Sequence, residues 1–169
     1  MERRPWRGGI LPLVALATPF PASAQAAFPP FSFAEVDFES DCRPNEAFAR
    51  LLTVLHGSRL ADSRERAIDQ PLYDAVAGDT WHRLVLDHPV EWHGLHLKRV
   101  DLHLGIERGP SNYTLVFDES PTMVREVWHA RGWQLLAVGE RRDIDGQGYA
   151  SIMLDGVEGG GASVTCFRD

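Results

Sequence analysis

The stretch Gly94-Leu95-His96-Leu97-Lys98-Arg99-Val100-Asp101-Leu102-His103-Leu104-Gly105-Ile106 decides the fold class of this chain. Its period is two. Leu95 and Leu97 point one way, and Val100, Leu102, Leu104 and Ile106 continue the apolar face after a slip of one residue. Side chains alternate across a strand, so this is a strand with one buried face, and a bulge near Lys98-Arg99 returns both sets to the same side. Glu107-Arg108-Gly109-Pro110-Ser111-Asn112 follows as a turn. Tyr113, Leu115 and Phe117 then resume the alternation as a second strand, hairpinned to the first.

Upstream, Leu84 and Leu86 alternate with Arg83, Val85 and Asp87 from Trp81 onward, a strand that His88-Pro89 is expected to end in a turn. Earlier still, residues Pro44 to Gly57 read as a helix. Phe48, Leu51, Leu52 and Leu55 fall at i, i+3, i+4 and i+7, and Gly57 is a natural stop. The polar segment Ser58 to Asp79, broken by Pro71 and Gly78, predicts no more than a helical turn or two around Leu72, Tyr73 and Val76. Gln25 to Ser40 reads as an extended arm that lays Phe28, Phe31, Phe33, Val36 and Phe38 on the core.

Downstream, Ser120-Pro121 combines a good N-cap with proline at the first helical position. The helix it opens carries Val124, Val127 and Trp128 on one stripe and stops at Gly132. Gln134 to Val138 reads as a short strand and Asp145-Gly146 as a turn. Tyr149 to Asp155 and Ala162 to Phe167 form a hairpin across the loop Gly156 to Gly161. Runs of adjacent strands with few helices predict a single α+β domain: an antiparallel sheet of about five strands with two main helices packed on one face.

The chain opens with Arg3, Arg4 and Arg7, an apolar run from Gly8 to Pro21, and Ala22-Ser23-Ala24. A basic start, a short apolar run and a small-x-small site are the parts of an export signal, so residues 1–24 read as a leader and residues 25–169 as the exported domain. The apolar run is too short to span a bilayer, which needs about 20 residues. No stable membrane insertion is expected after cleavage, and the expected location is the periplasm or outside the cell. Losing Glu2, Arg3, Arg4 and Arg7 takes the 17 basic and 24 acidic residues of the chain to 14 and 23. That acidic balance argues against nucleic acid, whose recognition needs a basic face. Cys42 and Cys166 are the two cysteines, and an even pair in an exported protein is most simply a disulfide.

Four places invite a chemical reading. His82, His88, His93, His96 and His103 crowd into one segment, and on the strand His96, Asp101 and His103 share the face opposite the apolar one. An Asp-x-His pair on a strand sets two ligand-capable groups about 7 Å apart, and His93 or a neighbouring strand would supply a third. Asp143-Ile144-Asp145-Gly146-Gln147-Gly148 begins like a calcium loop, but Leu154 stands where a bidentate Glu is wanted. A plain Asp-Gly turn explains the same letters. Glu107, Arg108, Ser111 and Asn112 put charge and hydrogen-bonding groups on a hairpin tip, where recognition residues often sit. Trp81, Trp92, Trp128 and Trp133 read as core or rim, and Trp92 and Trp133 would mark a binding patch if exposed together. Gly156 to Gly161 lacks the Lys-Ser/Thr of a phosphate loop, and Ser111 lacks a nucleophile elbow. With no recognisable catalytic set and no cofactor expected, the leading reading is a non-enzymatic exported domain that binds a protein or envelope component, inhibitor-like proteins among them. The rival is a metal-binding protein or metallohydrolase using His96, Asp101 and His103.

Overall fold

The computed structural model describes residues 32–56, 64–74, 79–104 and 111–169. The expected leader, residues 1–24, and the start of the expected aromatic arm, with Phe28 and Phe31, lie outside the described residues, as do Glu107 and Arg108. In chain order the elements are a 3-10 turn at Phe33–Glu35, α1 (Glu46–His56), β1 (Ala67–Asp74), β2 (Asp79–Trp92), β3 (Leu95–Leu104), β4 (Ser111–Phe117), α2 (Pro121–Ala130), β5 (Arg141–Asp143), β6 (Ala150–Gly156) and β7 (Ala162–Arg168). The seven strands form one sheet in the order β1-β2-β3-β4-β7-β6-β5. Every neighbouring pair is antiparallel. The class is therefore α+β with a single sheet, but the expected count of about five strands is corrected to seven.

Two strands account for the difference. β1 falls in the segment expected to hold no more than a helical turn or two. Among the described residues it lies at the sheet edge, pairing only with β2, and an edge strand tolerates Pro71 because one side of its ladder is unpaired. β5 has three residues and starts after the expected strand Gln134 to Val138, which is irregular. The expected turn at His88-Pro89 is also corrected. β2 runs on to Trp92, and its pairing with β3 jumps from Val85↔Arg99 to Val90↔Leu97. Asp87, His88 and Pro89 are exposed in this bulge, where proline costs no ladder hydrogen bond. The hairpin turn is His93-Gly94 instead, with φ of 49° and 83°. Positive φ at both central residues is the type I′ geometry that matches strand twist. The bulge expected near Lys98-Arg99 is present, as the shift between Leu97↔Phe117 and Arg99↔Val116.

Cross-strand rows explain the core. Leu84, Val100 and Leu115 align with Val164 and Leu154, and all five are fully buried. The helices pack on this face. Phe48 of α1 sets its ring 5.3 Å from Tyr113, and Trp128 of α2 lies 5.3 Å from Trp92. Phe33, Val36 and Phe38 of the arm are buried beside them, and Phe38 bridges Phe48 and Trp128 at 5.6 and 6.1 Å. Trp92 is fully buried and donates its Nε1–H to Val36 O at 2.7 Å, so it cannot form an exposed patch with Trp133. α1 is capped by Asn45, whose Oδ1 accepts from Phe48 N at 2.9 Å while its Nδ2 donates to Glu35 O. α2 has the expected start: Ser120 Oγ accepts from Met123 N, and Pro121 is its first residue.

Cys42 and Cys166 form a disulfide with Cα atoms 5.4 Å apart. It joins the tight turn before α1 to the middle of the sheet at β7. Among the described residues no helix is long and apolar enough to cross a membrane.

Candidate functional site

The residues expected to gather around a metal are each engaged elsewhere. His96 sits at the start of β3, where its Nδ1 lies 2.6 Å from Glu119 Oε1 and its backbone N–H donates to both Glu119 oxygens. The hydrogen bond and charge of Glu119 raise the imidazole above its ordinary value. Partial burial pushes Glu119 upward, but the N–H and ring of His96 outweigh it, and the carboxyl is held low. Asp101 is clasped between Arg83 Nε at 3.2 Å and Arg99 Nε at 3.0 Å. His103 is buried and stacked on Trp81, with ring centroids 4.2 Å apart and planes 15° from parallel. His82 bonds Asp69 at 3.0 Å. Among the described residues no three His, Cys, Asp or Glu side chains converge as a metal site. His96, Asp101 and His103 do alternate with the buried Leu95, Leu97, Val100 and Leu102, as expected, but each is taken by a different neighbour.

The other sequence candidates take simple structural roles where they are described. Ser111 and Asn112 open β4 and pair with Arg168 and Phe167 of β7. Asp145 Oδ1 accepts from Gln147 N and Gly148 N at 3.0 and 3.1 Å. Its side chain thus closes the turn between β5 and β6. The glycine loop joins β6 to β7 as expected, with Gly160 N bonded to Val157 O.

What the tertiary structure assembles instead is a cleft between the end of α2 and β5. α2 ends in a helix-terminating turn: Arg131 N and Trp133 N donate to Val127 O and Trp128 O, and Gly132 has φ 88°. That left-handed residue is why glycine serves there. The turn folds the Arg131 guanidinium over the rings of Trp92 and Trp128, at 4.6 and 5.1 Å. Arg131 Nη2 also bonds Asp37 Oδ2, and His93 Nε2 lies 3.6 Å from the same oxygen. Burial raises Asp37 above the ordinary carboxylate value, against the opposing pull of Arg131, the Phe38 N–H and His93. Trp133 sets its ring edge-on to Trp128 at 5.3 Å.

From the other side β5 brings in Arg142, whose Nη1 donates to Gln134 O and Oε1 at 2.9 and 3.1 Å. These acceptors are neutral, and Arg142 makes no ion pair among the described residues. The result is an open cleft of about 260 Å³ lined by Ser40, Arg131, Trp133, Gln134, Arg142 and Ile144. It combines a guanidinium paired with Asp37, one bonded to neutral acceptors, an indole and two neutral hydrogen-bonding side chains. Little in the local sequence flags it, because Ser40, the end of α2 and β5 meet only through the fold. The doublet Arg141-Arg142 is the single local signal. Its two side chains go to opposite faces, with Arg141 over the ring of Phe167 at 4.5 Å. No family model, curated protein or solved structure matches this chain.

Proposed function

We propose that this chain is an exported, disulfide-clamped binding domain whose partner is a protein or envelope component, acting in the periplasm or outside the cell. The observation that carries the reading is the Cys42–Cys166 bond. Structural disulfides persist in oxidising compartments and are rare where thiols are kept reduced. The leader-like start, with its basic residues and Ala22-Ser23-Ala24 site, supports the same reading. A binding role is supported by the cleft of Arg131, Trp133 and Arg142, which offers donors and an aromatic surface.

The test is expression of the full chain in a bacterium, followed by fractionation, intact mass and thiol alkylation. Export predicts a periplasmic or secreted product that begins at Gln25 and takes up no alkylating reagent until it is reduced. A full-length cytoplasmic product with two alkylated thiols would overturn the proposal.

A further inference from the structure

We propose that the cleft between α2 and β5 binds the carboxylate of a compact organic ligand, with Arg142 as its anchor and the indole of Trp133 as its apolar wall. This names the ligand chemistry of the binding role proposed above and rests on that reading.

The charge arithmetic selects the ligand class. Arg131 is already answered by Asp37, so among the described residues the cleft supplies one guanidinium with no ion-pair partner, that of Arg142, whose acceptors are the neutral Gln134 O and Oε1. A single such positive charge on a chain of net charge −7 matches a monoanion. A phosphate dianion would bring a second negative charge into an acidic field. The geometry agrees. Arg142 spends one nitrogen, Nη1, on Gln134, and a guanidinium carries five N–H donors in a planar fork that pairs bidentately with carboxylate. The Ser40 hydroxyl, from the turn before Cys42, lines the same cleft and can donate to a second oxygen. Trp133 and Ile144 leave half-buried apolar surface for the carbon skeleton. The size sets a limit: about 260 Å³ holds roughly nine waters' worth of liquid at about 30 Å³ each, a ligand near the size of one amino-acid residue. Two sources carry that chemistry, a free small acid and the C-terminal residue of a peptide.

The experiment is a titration of the purified, disulfide-intact chain followed by the indole N–H resonance of Trp133. The probes are N-acetyl-leucine, its neutral amide, inorganic phosphate, and a tetrapeptide ending in free leucine. N-acetyl-leucine should shift the resonance saturably with a Kd on the order of 1 mM, as expected for a fragment-sized ligand. The amide should bind at least tenfold more weakly. Arg142→Gln should weaken the acid at least tenfold with unchanged affinity for the amide, and Arg142→Lys should fall between, since it keeps charge but loses the fork. Arg50→Gln, on the exposed side of α1, controls for bulk charge and should change nothing. If the tetrapeptide binds at least as well as the free acid, the source is a peptide terminus; if it binds much more weakly, the source is a free acid. Both outcomes uphold the carboxylate site. Equal binding of acid and amide, an unchanged affinity in a folded Arg142→Gln, or saturable binding of phosphate without any response to the acid would each overturn it. The titration uses purified protein, so its failure leaves the export reading standing, and cytoplasmic retention would not alter its result.

Discussion

Reduction of the Cys42–Cys166 bond, with every side chain left in place, should destabilise the protein by about 5 kcal/mol. The figure follows from the sequence separation of 124 residues, which in the chain-entropy model removes about 16 cal/mol/K from the unfolded ensemble. For a domain of this size each 1 kcal/mol moves Tm by roughly 2–4 °C, so reduction should lower Tm by about 10–20 °C. The native site offsets a small part of the effect. Cys42 has φ 62°, a left-handed conformation disfavoured for a residue with a Cβ, and it closes a turn through its N–H to Glu39 O at 2.9 Å. Reduction frees that turn. The assay is urea unfolding of oxidised and reduced protein, followed by the fluorescence of the buried Trp92 and Trp128. The reduced form should show an earlier midpoint and a steeper slope, because an uncross-linked unfolded chain exposes more surface. Cys42→Ala/Cys166→Ala should resemble the reduced protein, with a further loss for the missing sulfurs. Midpoints of the oxidised and reduced forms that agree to within about 1 kcal/mol in free energy would refute the reasoning, because the clamp would then constrain nothing the fold does not already hold.

Asp37→Asn should cost about 3 kcal/mol, since it strands the largely buried Arg131 guanidinium over two indoles, and Arg131→Met in the same chain should restore much of the loss; thermal unfolding of the full double-mutant cycle measures it. Gly161→Ala should be far worse than Gly159→Ala. Both have positive φ, worth about 1–2 kcal/mol to a residue with a Cβ, but only at Gly161 would the new carbon sit 2.3 Å from the carbonyl oxygen of Phe117. Equal stabilities would show that the β4–β7 contact relaxes freely. The His96–Glu119 pair predicts a pH signature. The raised imidazole contributes stability that is present below its unfolded value of 6.5 and is lost as pH rises through the folded one. The lowered carboxyl contributes stability that is present above its unfolded value of 4.5 and is lost as pH falls through the folded one. The Tm difference between wild type and Glu119→Gln should therefore be largest between these two values and shrink on either side. A difference independent of pH would show that the ion pair has no part in it.

Much of the candidate chemistry was visible as letters but not as a site. The histidines sit close in sequence, yet each candidate has its own partner: Glu119 takes His96, Trp81 takes His103, and two arginines take Asp101. Asp37, His93 and Arg131 carry no shared motif, and the Arg142 cleft depends on a three-residue strand too short to leave a periodic pattern.

Local pattern alone was enough for α1, α2, the β3–β4 and β6–β7 hairpins and the β3 bulge. In each, the signal is a period, a cap or a turn residue acting within a few positions along the chain. The cysteine pair was legible too, because two thiols and a leader-like start leave few arrangements. Only the tertiary structure decided that Asp69-Gln70-Pro71 belongs to an edge strand, that β2 passes through His88-Pro89 to turn at His93-Gly94, and that β7 inserts between β4 and β6. These choices rest on which surfaces meet. An edge strand is made by its partner's ladder, a proline is accepted where a bulge leaves its nitrogen unneeded, and β7 takes its place because both its neighbours bury matching apolar rows. None of those causes is local, so none leaves a local trace.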